Sequence, residues 1–232
     1  MKRSVVNSAI DWAIALLEKE NCKLPDYAYW TLEDWKNSKD KSDTIQKVMI
    51  GWDVTDYGLG TFEEVGGVLY TIRNGLLDGS AGVPYAEKLL LFKPRQYLPT
   101  HFHYTKSEDI INRAGDGKLW IELFNSTPDG KIDRESLVAV YMDGILHTIE
   151  AGKRFYLTKG QSITKGQSIT LTPSMYHTFG VTEDGELVVG EVSSINDDNI
   201  DNHFNPEMPC YVNIEEDEAL RYVLCNEYSK IL

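Results

Sequence analysis

Cysteine is scarce in this chain, and Cys22, Cys210 and Cys225 stand apart, with no CxxC pair among them. That argues against a disulfide framework and a thiolate zinc site, and three isolated thiols suit a reducing, cytoplasmic compartment. Basic charge is also short. With 36 Asp and Glu against 23 Lys and Arg, the formal net charge is −13, which repels phosphate backbones and anionic lipid headgroups. No Lys/Arg stripe offsets it, so neither a nucleic-acid nor a membrane partner is expected. Long hydrophobic runs are missing too, and nothing reaches the roughly 20 residues that cross a bilayer. Asp11 and Glu18 interrupt the apolar look of the first 21 residues, and no small-residue cleavage site follows them. A glycine-rich phosphate loop and a compact basic cluster are likewise absent, which argues against a phosphorylated substrate.

What is present is an ordinary globular composition over 232 residues, enough for one structural domain with a substantial core. Ser4 is placed to cap a helix in which Val6, Ile10, Ala13, Ile14 and Leu17 share a face, ended by Asn21 and Pro25. Residues 1–65 read as a helical and irregular N-terminal extension laid over a core. Residues 66–195 change texture to short β-rich runs such as GGVLYTIRNG, EKLLLFKPRQ and GKLWIELFNS, broken by Asn-Gly, Asp-Gly, Pro or Gly. That pattern predicts a mainly β sandwich or closed barrel rather than a βαβ fold. Residues 196–232 carry an acidic patch and a strand-like RYVLC, and read as a tail covering or flanking the barrel.

The chemistry concentrates in YLPTHFHYTKSEDIINRAGDG. His101 and His103 are two apart, so on a strand both imidazoles point to one face while Phe102 and Tyr104 point to the other. A lone pair of this kind is more often two ordinary polar residues. Here Glu108 follows five residues later, far enough to turn a corner and return a carboxylate, and Gly115 permits a sharp reversal beyond it. His177, in LTPSMYHTF, is the candidate third imidazole, with Pro173 closing the strand before it. His147 and His203 have weaker context. Two or three histidines plus one carboxylate, with positions left open, suit Mn, Fe, Co, Ni or Zn in a catalytic role. Glu191 lies inside the apolar strand ELVVGEVSS, where a carboxylate needs a partner or a pocket. Asp197 and Asp198 read as turn residues.

The spacing of His101, His103, Glu108 and Gly115 resembles the first cupin motif, and Gly166, Pro173 and His177 resemble the second. There the proline-to-histidine interval is one residue short, and Met175 stands where glycine is usual. Longer blocks resemble the cupin-type D-lyxose isomerases over nearly the whole chain. They are GWDVTDYGLGTFEEVGGVLYTIRNG (residues 51–75), YAEKLLLF, HFHYTKSEDIINRAGDG, LTPSMYHTF, GEVSSINDDNIDNHF and LCNEY. The resemblance implies a cupin β-barrel (jelly roll) and a homodimer. It also implies a divalent metal, Mn2+ before Co2+, Fe2+, Ni2+ or Zn2+, held by His101, His103, Glu108 and His177. It places Lys106 near the metal as a cation toward substrate oxygen, and Lys88 on the wall of the sugar pocket. The proton-transfer group is left between Glu191 and the tail cluster, in which Glu216 would act as base and Asp217 would contact the substrate.

The expected function is interconversion of D-lyxose and D-xylulose, extending to D-mannose and D-fructose, through a cis-enediol. A cupin dioxygenase or decarboxylase, and a non-catalytic sugar-binding cupin, are the alternatives. One feature stands outside this reading. KGQSIT occurs twice in succession, at residues 159–164 and 165–170, far short of the three or more units of roughly 20 residues that a repeat fold needs. It reads as a local tandem duplication. The second copy would build the strand before Pro173, and the first would lengthen a loop at low entropic cost.

Overall fold

In a computed structural model, which describes residues 1–156 and 167–230, the β-rich runs assemble into two curled antiparallel sheets. Helices α1 (Arg3–Lys19), α2 (Leu32–Asn37) and α3 (Asp43–Lys47) come first. The strands then run β1 (Gly51–Thr55), β2 (Gly67–Gly75), β3 (Gly82–Phe92), β4 (Tyr97–His103), β5 (Glu108–Gly115), β6 (Leu119–Ser126) and β7 (Ile132–Asp133). They continue as β8 (Val138–Met142), β9 (Ile145–Ile149), β10 (Phe155–Tyr156), β11 (Ser168–Leu171), β12 (Tyr176–Val181), β13 (Leu187–Ser193) and β14 (Asn202–Phe204). Among the described residues one sheet is ordered β1-β2-β3-β13-β5-β11-β8-β9 and the other β10-β6-β12-β4-β14, with β7 paired to β6. The fold is a mainly β, cupin-type barrel.

Two cores explain the unbroken apolar runs. Leu90, Phe92, Leu98, Leu119, Ile121, Leu123, Phe179 and Val189 fill the space between the sheets. On the outer face of the eight-stranded sheet, Val54, Val68, Tyr70, Leu91 and Val188 pack under α1, whose Val6, Ala9, Ile10, Ala13, Leu16 and Leu17 form the buried stripe. Strands buried on both sides need no hydrophobic alternation, hence LLLF in β3. The inward face of this sheet also carries Asp53, Lys88 and Glu191, so one end of the barrel is apolar and the other is charged. At Gly115, with φ of 105°, a Cβ would run into the backbone of Glu186 and Leu187, so only glycine allows β5 to end there.

Three expectations move. The helix begins at Arg3 with Lys2 as its N-cap, two positions ahead of Ser4, because the tail takes the first-turn donors: the Glu215 carbonyl accepts from the Arg3 N–H and the Asp217 carboxylate from the Ser4 N–H. The extension and the tail both enter the sheets: β1 pairs with β2, and β14 pairs with β4. The barrel therefore gains strands on either side of the 66–195 boundaries. RYVLC forms only an isolated bridge, Leu224 to Trp52, rather than a strand. Gly166 and the first KGQSIT copy lie outside the described residues, whereas Ser168, Ile169 and Thr170 of the second copy, with Leu171 after it, form β11 between β5 and β8.

Candidate active site

Strand period and register bring the histidines together. His101 and His103 lie on one face of β4, and β12 pairs antiparallel to it with His177 opposite His101. Ligand nitrogens of the three buried imidazoles lie within 4.8 Å of one another. His101 Nδ1 donates to the Pro99 carbonyl at 2.8 Å and His177 Nδ1 to the Met175 carbonyl at 3.0 Å. A carbonyl only accepts, so both rings carry their proton on Nδ1 and present an Nε2 lone pair. These lone pairs face each other at 3.0 Å. Two such pairs repel, and a cation between them removes the repulsion; the spacing suits nitrogens on adjacent positions around one ion. Burial, then the neighbouring His177 and His103, hold the His101 imidazole well below its usual range and so neutral.

Glu108 opens β5 in the other sheet and closes the fourth side. Its Oε1 is 3.2 Å from His177 Nε2 and its Oε2 is 3.4 Å from His103 Nε2. Burial alone would push this carboxyl up, but Lys106 and then His103 outweigh it and hold it well below the ordinary carboxylate range. Three imidazoles and one carboxylate form a donor set that fits a divalent first-row ion.

Lys106 stands beside this cluster, fully enclosed. Its Nζ is 2.8 Å from Glu108 Oε2, 2.9 Å from Glu191 Oε1 and 3.1 Å from Asn196 Oδ1. Burial opposes its charge, yet Glu108 and Glu191 win and raise its pKa, so it is a cation in the resting site. Asp201 aims the lysine by accepting from the backbone N–H groups of Thr105 at 2.8 Å and Lys106 at 3.1 Å. Glu191 on β13 lies opposite Lys88 on β3, and Lys88 Nζ is 3.9 Å from Glu191 and 3.4 Å from Asp198. The resulting row Glu108, Lys106, Glu191, Lys88, Asp198 alternates in sign. It lines a cavity of about 50 Å³ together with Asp53, His101 and His103. A second cavity of about 240 Å³ shares Asp53, Lys88, Asp198 and Tyr211 as its wall.

A sequence profile of the D-lyxose isomerase family matches residues 1–228 of this chain. The chain belongs to the D-lyxose isomerase family. It is 37% identical to the D-lyxose/D-mannose isomerase of Escherichia coli O157:H7, with 98% of each chain aligned. It is also 37% identical to the D-lyxose/D-mannose isomerase of Serratia proteamaculans over the whole of both. Two solved structures share its fold at low identity. One is the ligand-free L-ribose isomerase of Cellulomonas parahominis, with a TM-score of 0.51, 15% identity, and 88% of this chain and 92% of that one covered. The other is a mutant L-ribose isomerase of Acinetobacter sp. DL28 in complex with L-ribose, with a TM-score of 0.50, 14% identity and the same coverage.

Not every expected site residue of this sugar isomerase reaches the pocket. His101, His103, Glu108, His177, Lys106, Lys88 and Glu191 converge, but Glu216 and Asp217 do not. Glu216 is bound to Arg3 at 2.8 Å and is half exposed, and Asp217 accepts from the Ser4 backbone N–H at 2.9 Å and its hydroxyl at 2.8 Å. Both serve the start of α1, where helix donors and a buried arginine draw carboxylates. The tail residues that do line the pocket are Asp198, Asn202, Phe204, Cys210 and Tyr211. The aspartate pair divides: Asp197 accepts from the Asn199 backbone N–H at 3.1 Å as a turn residue, while Asp198 faces the cavity. Asp53, Asn196, Asp201 and Asn202 escaped the sequence reading. A carboxylate within the apolar strand GWDVT was the one available signal, of the same kind that marked Glu191.

Proposed function

We propose that this chain is a metal-dependent aldose-ketose isomerase that interconverts D-lyxose with D-xylulose, and D-mannose with D-fructose, through a cis-enediol. The observation that carries the reading is the approach of His101 Nε2 and His177 Nε2 to 3.0 Å beside a buried Lys106–Glu191 pair. His101, His103, His177 and Glu108 would hold the ion, Mn2+ first and Co2+, Fe2+, Ni2+ or Zn2+ as ligand-compatible alternatives. When bound, the ion supplies a Lewis acid that polarises the sugar's carbonyl.

The rest of the work falls to side chains. Glu191 takes the proton from C2 of the aldose, leaving the electron pair in the C1–C2 double bond as O1 accepts a proton from Lys106. In the second half Glu191 returns its proton to C1, O2 becomes the carbonyl oxygen, and the O2 proton goes back to Lys106. The starting charges are restored. Lys106 suits this shuttle because it already donates to Glu191, and an ammonium held between carboxylates is oriented before substrate arrives. Lys88, Asp198 and Asn202 offer donors and acceptors to the remaining hydroxyls. A pocket lined by two lysines and four carboxyl groups favours a polyol over the apolar substrates of an oxygenase.

Exposed Tyr141, Ile145 and Leu146 on strands β8 and β9 at the sheet's edge support assembly as a homodimer. The three unpaired thiols support a cytoplasmic setting. None of the described helices is long and apolar enough to cross a membrane.

Manganese-loaded protein incubated with D-xylulose in D2O should form D-lyxose carrying deuterium at C2. His103→Ala should lose bound manganese by elemental analysis together with turnover. Absence of turnover by the wild type on all four sugars would reject the reading.

A further inference from the structure

One carboxyl group in the pocket is left unused by that chemistry. Asp53 sits mid-way along β1 opposite Leu69, which in turn faces Leu90 on β3, so its carboxyl group enters the barrel in an otherwise apolar row. Among the described residues no cation is paired with it: Lys106 is held by Glu108 and Glu191, and Lys88 by Asp198 and Glu191. It lines the cavity beside the histidines and also the larger one behind it. A sugar lying across both cavities passes over this side chain.

Aldoses in water are closed hemiacetals, whereas the cis-enediol forms only from the open aldehyde. An isomerase therefore gains from a group that opens the ring. We propose that Asp53 opens it, one carboxyl oxygen delivering its proton to the ring oxygen while the other accepts the proton of the anomeric hydroxyl. The bond from C1 to the ring oxygen breaks, and its electron pair stays on that oxygen with the proton from Asp53. The C1 carbonyl forms from the anomeric O–H electrons, and that proton passes to Asp53. The carboxyl group ends as it began, protonated and uncharged, so the step creates no net charge in an enclosed site.

The surroundings favour the protonated form that this step needs. Burial and then the Asp198 carboxylate push the group up to about 7, with Glu227 adding to the rise, while the Val54 backbone N–H and Lys88 pull the other way. At neutral pH a large share of Asp53 is therefore protonated, which an exposed aspartate is not. Asp198 itself is held below the ordinary range by Lys88 and Lys106, which overcome the effect of its burial, and so remains the charged neighbour.

This inference rests on the aldose-isomerase reading, and its test separates the two. The exchange between α and β anomers of D-lyxose is followed by NMR magnetisation transfer with catalytic wild type, Asp53→Asn and Glu191→Gln. Isomerisation of D-lyxose deuterated at C2 is timed in parallel. Wild type should accelerate anomer exchange, and Glu191→Gln should keep that acceleration while losing isomerisation. Asp53→Asn should lose the acceleration, lower kcat/KM by about 10²-fold, in the range of a missing acid-base group, and bring the C2 deuterium isotope effect on kcat/KM toward one. The proposal is overturned if wild type turns over D-lyxose without accelerating anomer exchange, a result independent of whether any variant folds. It is equally overturned if Asp53→Asn loses turnover but retains anomer exchange or a full isotope effect. A wild type that never isomerises D-lyxose rejects the function itself.

Discussion

Lys106 is where stability and chemistry meet in a single side chain. It is the shared partner of two enclosed carboxylates, Glu108 and Glu191, and removing one member of a buried ionic group costs about 3–5 kcal/mol because the remainder is left uncompensated. Lys106→Met should therefore lower the urea midpoint by an amount equivalent to that range, and abolish turnover. Adding the divalent ion should recover part of the lost stability and none of the turnover, since the ion restores positive charge without restoring the proton donor. How much of the site the sequence disclosed also divides residue by residue. His101 and His103 needed only strand period, and Glu108 only a corner. Asp53, Asp198 and Asn202 belong to the pocket because β1 joins the sheet edge through β2 and the segment after β13 returns to pair β14 with β4. No local spacing encodes that meeting.

At the scale of elements, the tail and α1 behave as one unit. Arg3 is fully buried, and its guanidinium reaches Glu227 at 2.6 Å and Glu216 at 2.8 Å. Burial raises the Glu227 carboxyl, but hydrogen bonds from Arg3 and Lys230 outweigh it and hold the group below its usual value of 4.5. A depressed carboxylate stabilises the fold fully above its unfolded value and loses that contribution as pH falls through the folded one. Arg3→Met should cost about 3 kcal/mol at pH 7, and its thermal-stability gap to wild type should shrink below pH 4.5. Composition alone showed an acidic run there, and a run of charge looks the same whether it covers a pocket or caps a helix. The β meander was legible because turn residues punctuate it, whereas β1 was missed as a short strand straight after the helical extension, and β14 as a three-residue strand that pairs out of sequence order with β4. The doubled KGQSIT offers a cleaner case: removing either copy yields the same chain, with one copy left to supply the residues of β11. That deletion should leave bound manganese and the D-lyxose rate within about twofold of the parent, as expected when only closure entropy changes. Loss of metal would show that both copies are needed to present His177.

Across the whole molecule, the donor cluster ties the two sheets together, since His101 and His177 come from one and Glu108 from the other. An ion bound there favours only the folded chain. At a free concentration of one hundred times its dissociation constant it contributes about 2.7 kcal/mol, which for a chain of this size is roughly 5–10 °C in melting temperature. EDTA dialysis should lower the melting temperature by that amount, and manganese should restore it; an unchanged melt would mean that the cluster holds no ion. The Arg3 clamp has a consequence in time as well. Arg3 leaves the ribosome 224 residues ahead of Glu227, which at about 5–20 residues per second is a wait of roughly 10–45 s. Through that interval α1 has neither its charge partner nor the Asp217 acceptor for its first turn, so its final seat is taken last. A helix made long before its partners is thus the last to dock, and a nascent chain stalled short of residue 216 would carry the metal-site residues under a helix still open to chaperones.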